Sequence, residues 1–369
     1  MTTTPNITPT VINSIEGLGL TESDTYPNVK KIIYEPEPLR PTDIDIKILT
    51  CGICGADPHF VRGDWGGPHF PIIPGHEIIG IVVNKGSEVN DEIFKIGERI
   101  GVGAQADSCG NCYRCNHNFE NNCRSSSLTY GNFHSMPKRQ GGYASHIRVN
   151  SKFAFKIPDN ISNEHAAPLL CGGMTSLSPL LVSGVKKDTN VAIVGIGGIG
   201  HMSMMFAKAL GANITAISSS IKKKDLSLNL GAQNFISLDD PNFEEKTEDA
   251  FDVIVHTGSF LSSELASKLL KMLRPNGKLQ IITGPTAGST DLNLNLFELI
   301  GNNANIGGIA SGSPNEIKYM LELASKHNIV PLIETIDINE DNIKTAWNRL
   351  DNNDVKFRFV LTGYDKFFK

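Results

Sequence analysis

Dense blocks of basic residues are missing from this 369-residue sequence. Only the short Lys222–Lys224 triplet stands out, and 39 acidic residues outnumber 34 Lys and Arg for a net charge of −5. Binding to nucleic acid without sequence preference depends on such blocks neutralising phosphates, so that class of function is excluded. No uninterrupted apolar run approaches the roughly 18 residues that span a bilayer, so no membrane span is expected. The opening stretch MTTTPNITPT has no basic segment followed by an apolar one; it reads as a polar tail rather than a secretory leader. The expected setting is therefore the reducing cytosol, where seven cysteines suggest metal or catalytic chemistry rather than disulfides. Sequence repeats and low-complexity tracts are absent as well.

What is present is a globular composition, 40% hydrophobic and 20% charged, at a length that suits two cores rather than one. The first 150 residues read as short strands and turns. Ile44, Ile46 and Ile48 alternate with Asp45 and Lys47, the pattern of a half-buried strand, and Gly and Pro punctuate WGGPHFPIIPGHE. From about residue 185 the texture changes. The strands NVAIV, NITAI, NFIS, DVIV, KLQII and NIGGI alternate with helical stretches, which implies a parallel sheet with crossover helices. NEIKYMLELASKH is an amphipathic helix outside that series. The reading is an α/β unit inserted between two parts of a β-rich domain.

The stretch SCGNCYRCNHNFENNC places Cys109, Cys112, Cys115 and Cys123 on one loop, with two, two and seven residues between them. Four thiolates can close a tetrahedron around zinc with no open position, which makes a structural site. An iron–sulfur cluster takes the same ligand set, and disulfides would need an oxidising compartment. Cys51, Cys54 and Cys171 remain. A catalytic zinc needs protein ligands plus one position for water or substrate. PGHE offers His76 and Glu77 for that purpose, and Cys51 and Cys54 also form a C-x₂-C pair.

In NVAIVGIGGIGHMSMMFAKALGA, the glycines Gly195, Gly197, Gly198 and Gly200 follow a strand and open a helix. That context lets backbone approach a pyrophosphate at the positive helix end. An NAD site expects an acid at the end of the next strand. Here NITAI runs into Ser218, Ser219 and Ser220, then Lys222, Lys223 and Lys224, before the first acid, Asp225. Hydroxyls and ammonium groups suit a 2′-phosphate, so NADP(H) is the expected cofactor. The plain alternative for these residues is a solvated helix start, for which Ser is a good cap.

Taken together, CGICGADPH, PIIPGHEIIGIV, IGERIGVG, SCGNCYRC, QGGYASH, AAPLLCGGMTSLSPL, GIGGIGH and DVKFRFVLTGYDKFF run in order from about residue 45 to the C-terminus. In these stretches the chain resembles the zinc-dependent medium-chain alcohol dehydrogenases, in their NADP-dependent cinnamyl alcohol dehydrogenase branch. The resemblance implies a β-rich, GroES-like zinc-binding catalytic domain over residues 1–165 and 310–369, and a Rossmann domain with a doubly wound parallel sheet over 166–309. It implies two zinc ions per chain. Cys54, His76 and Cys171 would hold the catalytic one, with Glu77 close enough to join them, and Cys51 would be a packed free thiol. Asp57 would orient a ligand, and His59 would end a proton relay. Thr175 would lie near the nicotinamide and Arg358 near the pyrophosphate, with Trp65 either lining the pocket or packed in the core.

The implied reaction joins a small aldehyde or primary alcohol, aromatic or medium-chain, to NADP(H) in a homodimeric enzyme. Two rivals are carried with it, an NAD-dependent zinc polyol dehydrogenase and an NADP-binding zinc scaffold without turnover. In the family a Ser or Thr follows the zinc-binding cysteine by two residues and passes the alcohol proton toward the histidine. Here that position is Ala56, which raises the second rival.

Overall fold

The computed structural model describes residues 9–66, 68–131, 139–243, 245–282, 284 and 291–368. The chain divides into two compact units. One comprises residues 1–171, 312–325 and 330–369, and the other comprises 172–311 and 326–329. The sequence reading placed these boundaries at 165/166 and 309/310.

The first unit is built on a mixed sheet. Its strands include β1 (Asp43–Ile53), β2 (Ile78–Lys85), β3 (Arg99–Val102), β4 (His146–Asn150) and β5 (Ala154–Lys156). The sheet order is Glu334–Asp337, Phe359–Thr362, β1, β2, β3, β5, with β4 also paired to β1. β1 reads as half-buried, and Ile44, Ile46 and Ile48 are indeed buried while Lys47 stays partly exposed, but Asp45, on the same face as Lys47, is buried as well. Asp45 is tolerated there because the Arg148 guanidinium donates to both its oxygens, at 2.6 and 2.9 Å. Alone, such a buried carboxylate would cost several kcal/mol, roughly the gain from burying one of its isoleucine neighbours or more. The core joins these isoleucines to Ile78, Val82 and the buried Trp347.

The second unit carries six parallel strands: β6 (Asn190–Val194), β7 (Asn213–Ser218), β8 (Asn234–Ser237), β9 (Phe251–His256), β10 (Leu273–Ile281) and β11 (Asn305–Gly308). Their order is β8-β7-β6-β9-β10-β11, so the chain reverses direction across the sheet between β6 and β9. In open α/β sheets ligands bind at that switch, outside the carboxyl ends of the strands. The inner strand β6 is apolar without alternation (Val191, Ala192, Ile193 and Val194 are all buried) because both faces of a parallel sheet are covered at its centre.

One segment departs from the expected absence of membrane spans. The helical run Asn163–Val182 is long and apolar enough by length and composition, and 78% of it is buried inside the protein, as in a core helix. It is built from a helix at Asn163–Pro168, a π-helical turn at Leu169–Gly173 and a helix at Met174–Val182.

Candidate active site

The four-cysteine loop folds back on itself around a short helix, Tyr113–Asn116, which brings Cys112 and Cys115 to one side. All four cysteines are free thiols. Their Sγ atoms lie 3.5 Å (Cys109–Cys123), 3.6 Å (Cys112–Cys115), 3.9 Å (Cys109–Cys115) and 3.9 Å (Cys112–Cys123) apart. A tetrahedron with Zn–S bonds of about 2.3 Å has edges of about 3.8 Å, so this cage fits zinc. The backbone N–H groups of Asn111 and Cys112 pull the Cys109 thiol down to about 6, which favours the thiolate that a metal needs.

A second cluster gathers Cys54, His76, Glu77 and Cys171, whose ligand atoms all lie within 4.8 Å of one another. Cys54 follows β1, while His76 and Glu77 precede β2. Cys171 sits in the π-helical turn, a device that inserts an extra residue into a helix and re-aims its side chains. His76 Nε2 is 3.2 Å from Cys171 Sγ. Hydrogen bonding with Cys171, helped by the nearby Arg358 and His76 charges, holds the Cys54 thiol well below its ordinary range despite burial. Two sulfurs and an imidazole nitrogen suit zinc, with the carboxylate as a further oxygen donor. Cys51 stays outside the cluster: its buried thiol donates to the Gly52 carbonyl at 3.4 Å, and burial pushes its pKa up. Cys54 rather than a Cys51–Cys54 chelate therefore belongs to the cluster.

Asp57 is the buried anchor of this site. Its Oδ1 lies 3.1 Å from His76 Nδ1 and accepts from the Tyr130 hydroxyl at 2.5 Å and the Gly75 N–H at 3.3 Å. Its Oδ2 accepts from the Cys54 N–H at 2.9 Å and the Tyr143 hydroxyl at 3.0 Å. With Nδ1–H directed at Asp57, the lone pair of His76 rests on Nε2, beside Cys171. Two glycines keep the space open. A Cβ at Gly52 would strike the Glu77 carboxylate, and one at Gly75, where φ is +102°, would strike Tyr143 and Cys51 Sγ.

Arg358, read by resemblance as lying near the pyrophosphate, is ion-paired with Glu77, both side chains being buried. Desolvation lifts the Glu77 carboxyl to about 7, against the pull of the Arg358 charge.

Helix α1 (Ala56–Arg62) places Ala56 and His59 three residues apart, neighbours on one helix face. His59 Nδ1 pairs with Asp64 at 2.6 Å, and its ring stacks on Trp65 with centroids 4.9 Å apart. Trp65 also meets the edge of Phe60. Ala56 contributes only a methyl group.

In the second unit, Gly195 has φ +91°, and a Cβ there would close on the Gly258 N at 2.9 Å. At Gly200 a Cβ would run into the Gly195 carbonyl. Gly200 then opens a helix (Gly200–Ala209), and at Gly197 nothing lies within 4 Å of where a Cβ would stand. This backbone-lined turn at a helix start, with Gly198 in it, fits a dinucleotide diphosphate. Three contacts absent from the sequence reading brace the loop. The His201 ring meets the Gly197 carbonyl at 3.0 Å, the Thr257 hydroxyl donates to the Gly195 carbonyl at 2.5 Å, and Lys223 Nζ donates to the Ile196 carbonyl at 2.6 Å. Lys223 thus stands beside the loop, and partial burial lowers its pKa. Ser219 is exposed, whereas Ser218 is buried and its hydroxyl accepts from the Ser220 N–H at 3.2 Å. Thr175 is buried on the helix Met174–Val182.

Sequence comparison finds the families described as "Alcohol dehydrogenase GroES-like domain" over residues 40–159 and "Zinc-binding dehydrogenase" over residues 198–326. The chain is 38% identical to NADP-dependent alcohol dehydrogenase 6 of Saccharomyces cerevisiae over 355 residues, 96% of this chain and 98% of that one. Among solved structures it resembles a cinnamyl alcohol dehydrogenase from Sorghum bicolor (TM-score 0.87, 32% identity, covering 95% of this chain and 97% of that one). It also resembles a CAD from Helicobacter pylori complexed with NADP(H) (TM-score 0.85, 31% identity, covering 95% and 98%).

Proposed function

The chain belongs to the zinc-binding medium-chain alcohol dehydrogenases, in their cinnamyl alcohol dehydrogenase branch, and from that premise we propose that it reduces aldehydes to primary alcohols with NADPH. The observation that carries the reading is the cluster of Cys54, His76 and Cys171 held by a buried Asp57. Zinc at that cluster supplies Lewis acidity toward a carbonyl oxygen, and the nicotinamide supplies hydride.

The protein's own share is positional and electrostatic. Asp57 fixes the His76 tautomer. Arg358 balances the buried Glu77 charge, so the site is not left with an unpaired carboxylate among thiolates. Gly195 and Gly200 admit the diphosphate, and Lys223 with Ser219 offers an ammonium and a hydroxyl to a 2′-phosphate. His59 stands three residues beyond Ala56 as a proton acceptor, and a water in place of the missing hydroxyl would bridge toward it. The preferred substrates are aromatic and medium-chain aldehydes.

A homodimer is part of this reading. β11 ends the six-stranded sheet, and the adjacent helix Leu296–Asn302 exposes Leu296, Phe297 and Ile300, with Phe297 80% exposed. An open strand edge beside an apolar helix face suits a second copy of the same surface. Seven free thiols suit a cytosolic setting.

The test is a panel of aldehydes and of alcohols, mannitol included, assayed with NADPH and NADH separately. Aldehyde reduction that prefers NADPH supports the proposal. Oxidation of a polyol with NAD would replace it with the polyol dehydrogenase rival, and NADPH binding without turnover of any aldehyde would leave the scaffold rival.

A further inference from the structure

His256 is the last residue of β9 and pairs in register with Val194, the last residue of β6. It therefore stands at the point where the strand order reverses, the position at which such sheets bind their ligand. The side chain is buried, and its Nδ1 has no hydrogen-bond partner among the described residues.

The surroundings show which edge of the ring is available. A Cβ at Gly258 would come within 3.2 Å of both Nε2 and Cε1, so it is glycine at 258 that keeps a side chain off that edge. Burial pushes the imidazole down to about 4, so the ring is neutral at physiological pH, with one N–H and one lone pair. Unpaired buried N–H groups are the rarer failure, which leaves the lone pair on Nδ1 and puts the proton on Nε2, at the Gly258 edge.

The two halves of a dinucleotide are divided by the same switch. The group that discriminates the adenosine ribose sits at the end of the second strand of such a unit, here β7, so that ribose lies on the β7 side of β6. The nicotinamide half then lies on the opposite side, over β9. We propose that His256 is a positioning residue for the cofactor, its Nε2–H donating to a ribose hydroxyl of the nicotinamide half. This rests on the reading of the second unit as an NADP(H) site.

The test uses full-length, zinc-loaded protein and two ligands: NADPH, titrated by fluorescence, and adenosine 2′,5′-bisphosphate, which carries only the adenosine half. His256→Leu should weaken NADPH binding about threefold to tenfold, the scale of one hydrogen bond, and leave the bisphosphate affinity unchanged. His256→Gln sets an amide nitrogen near the place of Nε2 and should recover most of the loss. His256→Asn reaches only as far as Nδ1 and should not. The inference is overturned if His256→Leu binds NADPH as tightly as the wild type. It is also overturned if that variant loses both ligands equally, because the histidine would then be holding the fold. Wild-type protein that binds neither ligand would refute the cofactor reading itself, a result distinct from either of these.

Discussion

Asp57 Oδ1 and His76 Nδ1 lie 3.1 Å apart with both side chains buried, so the carboxylate fixes the imidazole that faces Cys171. Groups behind a ligand are typically worth tenfold to a hundredfold in metal affinity. Asp57→Asn should therefore release zinc from the second cluster at about tenfold to a hundredfold lower chelator concentration, while the four-cysteine loop keeps its metal. Metal content after graded chelation measures it. Unchanged retention would show that Asp57 serves its other partners, the Tyr130 and Tyr143 hydroxyls and the Cys54 and Gly75 N–H groups, rather than the metal.

Two zinc ions per chain are expected, with different consequences when each is lost. Cys112→Ser opens the four-sulfur cage and should lower the yield of folded protein, because a structural zinc contributes folding free energy. Cys171→Ser should abolish turnover and remove one zinc while leaving the circular dichroism spectrum and melting temperature close to wild type. A single zinc in the wild type, lost with Cys112→Ser, would contradict the second site.

Lys223 ties the 2′-phosphate question to the glycine loop through its bond to the Ile196 carbonyl. Lys223→Glu replaces an ammonium with a carboxylate and should cut the NADPH-over-NADH preference in kcat/KM by about tenfold or more. Ser219→Asp, on the exposed neighbour, should move it the same way without touching the loop. Equal efficiency with both cofactors in the wild type would sink the NADP assignment.

At residue 56 the expected relay lacks its hydroxyl. Ala56→Ser restores a donor and acceptor three residues before His59 and should raise turnover by about tenfold to a hundredfold, the lower range for a positioned proton-transfer group. His59→Gln should cost more in that variant than in the wild type, because only the variant completes the chain. The double-mutant cycle on kcat from pH 6 to 9 separates these outcomes; an unchanged rate with serine at 56 means proton transfer is not limiting.

Phe297 is the test of the homodimer. Phe297→Glu puts a charge into the exposed apolar face of Leu296–Asn302 and should convert a dimer to monomer in sedimentation velocity. Wild-type protein that sediments as a monomer would overturn that part of the reading.

By itself the sequence determined whatever depends on residues close together in the chain. The four-cysteine loop was legible because its ligands lie within fifteen positions of one another, and their spacing sets what one loop can enclose. The glycine turn was legible because only glycine permits the backbone at Gly195 and the close approach at Gly200. The inner parallel strands, β6 and β9, were legible because burial on both faces writes itself as nearly continuous apolar runs. Family likeness added Cys54, His76 and Cys171 as a set, since nothing local distinguishes Cys54 from Cys51.

Tertiary structure decided the rest. Cys171 meets His76 across 95 positions, and Tyr130 and Tyr143 reach Asp57 across 73 and 86. Arg358 meets Glu77 across 281, a buried ion pair that no local pattern announces. Asp45 is buried in a strand whose alternation suggested one wet face, because Arg148 arrives from the neighbouring β4 to neutralise it. These contacts depend on strand register and on the π-helical turn, and a buried charge or tyrosine hydroxyl gains its meaning only from the distant group that desolvates and pairs with it.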